Sequence, residues 1–185
     1  MSNVLGMENS LEITVRELKA RQDIRDVLIR YCRGADLCDA DIMQSCYHDD
    51  ATDDHGFFHG PANIFTRDAV KNLGSLFTST RHILSNEYVE LEGLNARVES
   101  HILCLLHTNG EDGQADITAR CRYLDRFESR GGVWKIAHRQ LVSDGTRVDR
   151  LEEDYPRLNQ GAPGGRGSAD PSVPFFEAAN SVSQA

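Results

Sequence analysis

The sequence predicts an α+β fold in which helices come first and a run of antiparallel strands follows. Two observations carry this. Up to about residue 77 the apolar residues recur at helical spacing, and beyond it the period shortens to that of strands. The strand-like segments are joined by short turn-rich pieces, EGLN, TNGEDG and SRGG. At 185 residues the chain is long enough for one domain with a sizeable core.

Residues 1–10 are expected to form a flexible N-terminus and residues 11–155 the folded domain. Between residues 11 and 35, Ile24, Val27, Leu28, Tyr31 and Ala35 trace one face of a helix, while Arg25, Asp26 and Arg30 occupy the other. Gly34 is expected to loosen the helix end, leaving Asp36 where the chain departs from it. Asp39 is suited to cap a short second helix carrying Ile42, Met43 and Cys46. The acidic residues 49–55 and the following FFHGP read as a strand running into a turn. A third helix over about residues 62–77 would bury Ile64, Phe65, Val70, Leu73 and Leu76. Strands are expected at 82–84 with 88–91, 97–108, 114–127 and 133–142. Residues 156–185 are rich in Gly, Pro and Ser and are expected to be irregular, serving as an arm or a lid.

Composition narrows the function. Acidic residues outnumber basic ones 29 to 20, a formal charge of −9, and no Lys/Arg cluster appears, so neither nucleic acid nor an anionic membrane is an expected partner. There is no long apolar run, and the N-terminus lacks signal-peptide character, so a cytoplasmic location is expected. Five cysteines at unpatterned spacings read as reduced, buried small residues. His48, Asp49, Asp50, Asp53, Asp54, His55 and His59 are metal-ligand residue types, but their spacing fits no defined site. A hydrogen-bonded hairpin is expected there, with no metal and no cofactor.

Four segments in this order, IRDVLIRYCRGADLCDAD, CYHDDATDDHGFFHGP, TRHILSNEYVELEG and RFESRGGVWKIAHR, resemble the SnoaL-like group of the nuclear-transport-factor-2-like superfamily. The resemblance covers about residues 11 to 150. Scytalone dehydratase, a bile-acid 7-alpha-dehydratase and a hexachlorocyclohexane dehydrochlorinase belong to that group. It implies a cone-shaped α+β barrel, a strongly curved mixed sheet wrapped round the N-terminal helices. It also implies a catalytic aspartate after the first helix, matched by Asp36, and a catalytic histidine opening the first strand after the third helix, matched by His82. Tyr31, five residues before Asp36, and Arg139, five after Trp134, match further positions in different members. Where relatives place a second carboxylate and a second histidine, this chain has Cys104 and Thr108. His101 and His107 lie nearby with the opposite strand parity.

A His–Asp pair performs proton transfer without a metal or cofactor, because the carboxylate fixes the imidazole tautomer and steadies the imidazolium formed on proton abstraction. His82 is then the expected base and Asp36 its orienting partner. Tyr31 and Arg139 are candidates to stabilise developing negative charge. Read blandly, Tyr31 is a core residue and Asp36 a helix-end carboxylate. Strand alternation points Arg139 inward, where it requires an anionic partner such as Asp36 or the substrate. Cys104, Leu106, Cys121 and Tyr123 are expected to shape the substrate pocket. The implied activity is a cofactor-independent lyase on a bulky hydroxylated aromatic or polycyclic molecule, by dehydration or a related retro-aldol cleavage. An isomerase or cyclase, or a non-catalytic dioxygenase β-subunit-like assembly protein, are the alternatives. Group habit implies a homodimer or homotrimer.

Overall fold

A computed structural model describes residues 2–110, 113–150 and 161–182. Its first helix, α1 (Ser2–Leu37), begins well before residue 11, because no proline interrupts the chain ahead of Pro61. The face it packs inward is Ala20, Ile24, Val27, Leu28, Tyr31 and Ala35, all buried, at the three-and-four spacing of an amphipathic helix. Each of the larger side chains contributes about 1.5–3 kcal/mol by leaving water. Cys38 adopts a left-handed φ of 52° and stops the helix, with the Cys38 and Asp39 amides donating back to Ala35 and Gly34 at 3.1 and 2.8 Å. Asp39 Oδ1 then accepts from the Ile42 amide at 2.9 Å and starts α2 (Ala40–Ser45). Gly34 does not loosen this end, since α1 continues to Leu37. A Cβ at Gly34 would sit 2.8 Å from Met43 N and 2.9 Å from Met43 Cγ, so the glycine is what lets α1 and α2 touch.

β1 (Tyr47–Asp54) and β2 (His59–Pro61) form a hairpin that leads into α3 (Ala62–Leu76). Four long strands follow: β3 (Ser79–Glu92), β4 (Asn95–Gly110), β5 (Gly113–Arg130) and β6 (Val133–Arg150). The described strands form one six-stranded sheet in the order β2-β1-β6-β5-β4-β3. β1 runs parallel to β6 and the other pairs are antiparallel, so the sheet is mixed and stays open at both edges. Register shifts between Leu84 and Glu87 on β3, and after Arg120 and Arg126 on β5, mark bulges that bend the strands. The bent sheet wraps round α1, giving the cone-shaped α+β fold.

One bulge governs the interior. Phe127 pairs with Ile136 and Arg126 with His138, so Ala137 is passed over. The parity of β6 changes there, and Ile136 and Arg139 both end buried.

The tail departs from the irregular segment expected. After a 3₁₀ turn (Gly167–Ala169) it forms α4 (Ser172–Val182), while residues 156–160 lie outside the described residues. Asp170 accepts from the Gly165 and Ser172 amides at 3.0 Å each, and from Ser172 Oγ. These donors hold its carboxyl down at about 2. Arg166 anchors the tail to the domain, donating to the Phe77 carbonyl at 3.0 Å and to the Asp36 carbonyl and Thr80 Oγ1 at 3.2 Å.

Gly34→Ala is expected to lower stability by about 1–3 kcal/mol in urea denaturation, because α2 must move to admit the methyl. Gly74→Ala on α3 meets only Cys38 Sγ at 3.9 Å and is expected to raise stability by about 0.5–1 kcal/mol in the same measurement.

Candidate functional site

Asp36 occupies the last turn of α1, and His82 lies four residues into β3. His82 Nδ1 lies 2.7 Å from Asp36 Oδ1, and the His82 backbone amide donates to both carboxylate oxygens at 3.0 Å. Three contacts from one residue fix the carboxylate, so the ring is oriented through Nδ1. Nε2 has no protein partner among the described residues. The histidine side chain is 9% exposed and the aspartate 17%, so both reach solvent while being largely enclosed. They line a cleft of about 640 Å³ together with Cys32, Leu37 and Leu84. Phe176 and Ser172 of α4 form its outer wall. Arg33 joins helix to tail, donating to Ser172 Oγ at 3.2 Å and lying 5.2 Å over the Phe176 ring.

Behind this cleft lies a buried charged row. The register places Asp53 of β1 beside Arg139 of β6, and Arg139 beside Asp125 of β5. Arg139 donates from Nε and Nη2 to the two oxygens of Asp125 at 2.7 Å each, with both side chains fully buried. Burial opposes the charge of the guanidinium, but the charge and hydrogen bonds of Asp125 outweigh it and push its proton affinity up. Its plane is caged by Tyr123 at 3.8 Å and Tyr31 at 4.1 Å. Burial pushes both tyrosine hydroxyls up, so they stay protonated. Arg139 Nη1 is buried without a hydrogen-bond partner among the described residues. Asp53, also fully buried, accepts from Tyr47 Oη at 2.6 Å and from His55 Nδ1.

Cys32 bridges the two regions. Its thiol, pushed up to about 12 by burial, is influenced by Arg139 on one side and Asp36 on the other. On the inner sheet face, His82 is directly opposite Cys104, and Cys104 opposite Ala119. Cys104 and Tyr123 are buried, and Leu106 and Cys121 are half-buried on the same parity. Cys104 and Cys121 are diagonal neighbours, and their mutual hydrogen bond together with burial pushes the Cys104 thiol up. His101 and His107 face the other side, bonded to Glu99 and Asp116 at 3.2 and 2.7 Å.

Arg139 does point inward, but its anionic partner is Asp125 rather than Asp36. Sequence reading passed over Asp125, although an aspartate two residues from Tyr123 on an otherwise apolar inward face is a visible signal. It also missed Arg166, Ser172 and Phe176 of the tail. The acidic hairpin disperses its histidines: His48 bonds the Glu128 carbonyl, His55 bonds Asp53 and His59 bonds Asp54. Among the described residues no three of its histidine and carboxylate side chains come together in a group that could hold a metal ion.

Among solved structures the chain is similar to a putative scytalone dehydratase from Novosphingobium aromaticivorans, at 18% identity over 81% of this chain and 99% of that one, with a TM-score of 0.64. It is similar to hexachlorocyclohexane dehydrochlorinase LinA-type3 from Novosphingobium barchaimii, at 20% identity over 76% and 99%, with a TM-score of 0.66. A protein of unknown function from Mycobacterium tuberculosis, Rv3472 with a D26N substitution, aligns at 20% identity over 90% of both chains, with a TM-score of 0.59. At these identities the likeness establishes the fold. No curated protein matches the chain. The model of the SnoaL-like domain matches residues 16–140, which span α1 through the inward-facing part of β6 and include Asp36, His82 and Arg139. The chain therefore belongs to the SnoaL-like family.

Proposed function

We propose that the protein is a cofactor-independent lyase that removes water from a bulky hydroxylated aromatic or polycyclic molecule, with His82 as general base and Asp36 as the residue that orients it. The observation that carries the reading is the three-contact clamp on Asp36, which leaves His82 Nε2 unpartnered in a pair that lines a cleft of about 640 Å³. That volume suits a drug-sized ligand rather than a polymer. Nε2 takes a proton from a carbon next to the one bearing the hydroxyl. The freed electron pair forms the double bond, the C–O bond breaks, and the leaving oxygen takes a proton to depart as water. Retro-aldol release of a one-carbon fragment uses the same base on a hydroxyl proton instead. An isomerase would return the proton to the substrate.

Arg139 and Tyr31 are buried and do not line the cleft, and Asp125 and Asp53 offset the guanidinium's charge, so their part in this reading is to hold the core behind the dyad. Cys104, Leu106, Cys121 and Tyr123 share the sheet face of His82 but do not line this cleft, so a substrate-shaping part for them requires the ligand to reach past it. The reading extends to a homodimer or homotrimer handling a small molecule. No described helix is long and apolar enough to cross a membrane.

The test is a product-detecting screen of β-hydroxylated diaryl and polycyclic ketones, followed by variants on the active compound. His82→Ala is expected to lower kcat by about 10²–10⁴-fold with an unchanged thermal transition. Full activity in His82→Ala, or no turnover of any such compound, would sink the reading in favour of an assembly or binding role. Asp125→Asn is expected to cost about 3–5 kcal/mol in chemical denaturation, because it leaves a buried guanidinium without its counter-charge.

A further inference from the structure

The cleft beside the dyad carries more hydrogen-bond donors than the protein itself uses. Its lining includes three arginines, Arg25, Arg33 and Arg81, and two carboxylates, Asp36 and Asp170. Both carboxylates are already occupied. Asp36 takes the amide and the ring of His82, and Asp170 takes the Gly165 and Ser172 amides with the Ser172 hydroxyl. Arg25 is bonded to Glu87. Arg33 and Arg81 are different. Arg33 makes one long bond, 3.2 Å to Ser172 Oγ, and Arg81 makes one of 2.7 Å to the carbonyl of its neighbour Thr80. Among the described residues neither forms an ion pair. A guanidinium is always charged and carries several N–H donors and no acceptor, so most of the donors on both are unmet.

Two observations separate this pair from arginines that merely fasten the tail. The first is Arg166, which does that work: its Nη atoms bond the Asp36 and Phe77 carbonyls, Thr80 Oγ1 and Cys38 Sγ. Arg33 and Arg81 hold nothing comparable. The second is placement. Arg33 precedes Asp36 by three residues on α1, which sets their Cβ atoms about 5–6 Å apart on one helix face. It is half-buried and lies 5.2 Å over the Phe176 ring. Arg81 precedes His82 on β3, an edge strand, and the cleft reaches over that edge to the tail, so it takes in both residues. Arg81 is exposed at the rim, and its Nη2 lies 2.9 Å from where a Cβ on Gly164 would stand. The wall between is apolar, with Ile29, Leu37, Leu84 and Phe176. The complementary ligand has an apolar body and one end that only accepts hydrogen bonds.

We infer that the substrate is an organic acid whose carboxylate is held by Arg33 and Arg81 while His82 works on its hydroxylated carbon skeleton. This names the substrate class of the lyase reading above and rests on it. The planar fork of a guanidinium presents paired N–H groups that match the two oxygens of a carboxylate. With that end gripped and the rings laid against the apolar wall, the molecule has one orientation, which decides which C–H bond meets His82 Nε2. Arg33 and Arg81 bind and position, and take no part in proton transfer.

The wild-type chain is titrated by calorimetry with 2-naphthoate and with 2-naphthamide, its uncharged isostere. The His82 ring signal is followed by NMR in the same titrations, assigned through His82→Gln. Naphthoate is expected to bind about 10–100-fold more tightly than the amide and to shift the His82 ring. Arg33→Gln and Arg81→Gln are each expected to weaken naphthoate about 10-fold and to leave naphthamide unchanged. Equal affinity for the two ligands, or a preference that survives both substitutions, overturns the inference. Naphthoate binding that leaves His82 unmoved also overturns it. So does an equal loss of both ligands in Arg33→Gln, which is what release of α4 alone would give. Hydroxylated acids and their primary amides are then added to the screen above. The acids are expected to lead in kcat/KM, mainly through KM, and the two arginine variants to remove that lead. Amides turned over as well as acids overturn the inference and leave the lyase reading standing. No turnover of either, with naphthoate selectivity intact, overturns the lyase reading and leaves a carboxylate-binding cleft.

Discussion

The interior of this cone is organised by one ion pair, Arg139 with Asp125, buried without contact with solvent. Two charges in such a place are stable only when geometry and hydrogen bonding compensate their lost hydration. The sheet supplies that geometry by placing them opposite each other on neighbouring strands, so that two parallel bonds of 2.7 Å form. The tyrosines of α1 and β5 close over the guanidinium face, which ties the helix to the sheet through a cation rather than through aliphatic packing alone. Tyr31 is therefore a structural part of the core.

The dyad is built differently. Asp36 takes contacts from the backbone and the ring of the same residue, so it closes the end of α1 onto the start of β3 while orienting the His82 ring. Arg166 binds the carbonyl of Asp36 from the opposite side. The tail is thus wired to the residue that orients His82, and Phe176 from that tail forms part of the cleft wall. The cleft is lined by the family domain at residues 16–140 and by a segment beyond it.

The helix positions were legible because an amphipathic face repeats in sequence. Ile24, Val27, Leu28, Tyr31 and Ala35 announce α1, and Asp39 announces the cap of α2. Asp36 and His82 were legible through the resemblance, since nothing in their local sequence separates them from ordinary turn and strand residues. The partner of Arg139 was not legible. It depends on strand pairing across 14 residues and on a bulge that hydropathy does not mark. The tail helix was misread because Pro171 and Pro174 look like breakers. Pro174 stands in the first turn of α4, where the missing amide costs no helical bond.

The bulge at Ala137 has a bearing on how this cavity can be altered. β6 behaves as two strands spliced out of phase: up to Ile136 one set of alternate residues faces in, and from Arg139 onward the complementary set does. Removing Ala137 would close the bulge, set His138 directly after Ile136 and leave Arg139 inward and opposite Asp125. A change of length in β6 away from the bulge would instead move every residue beyond it to the opposite face and expel the guanidinium.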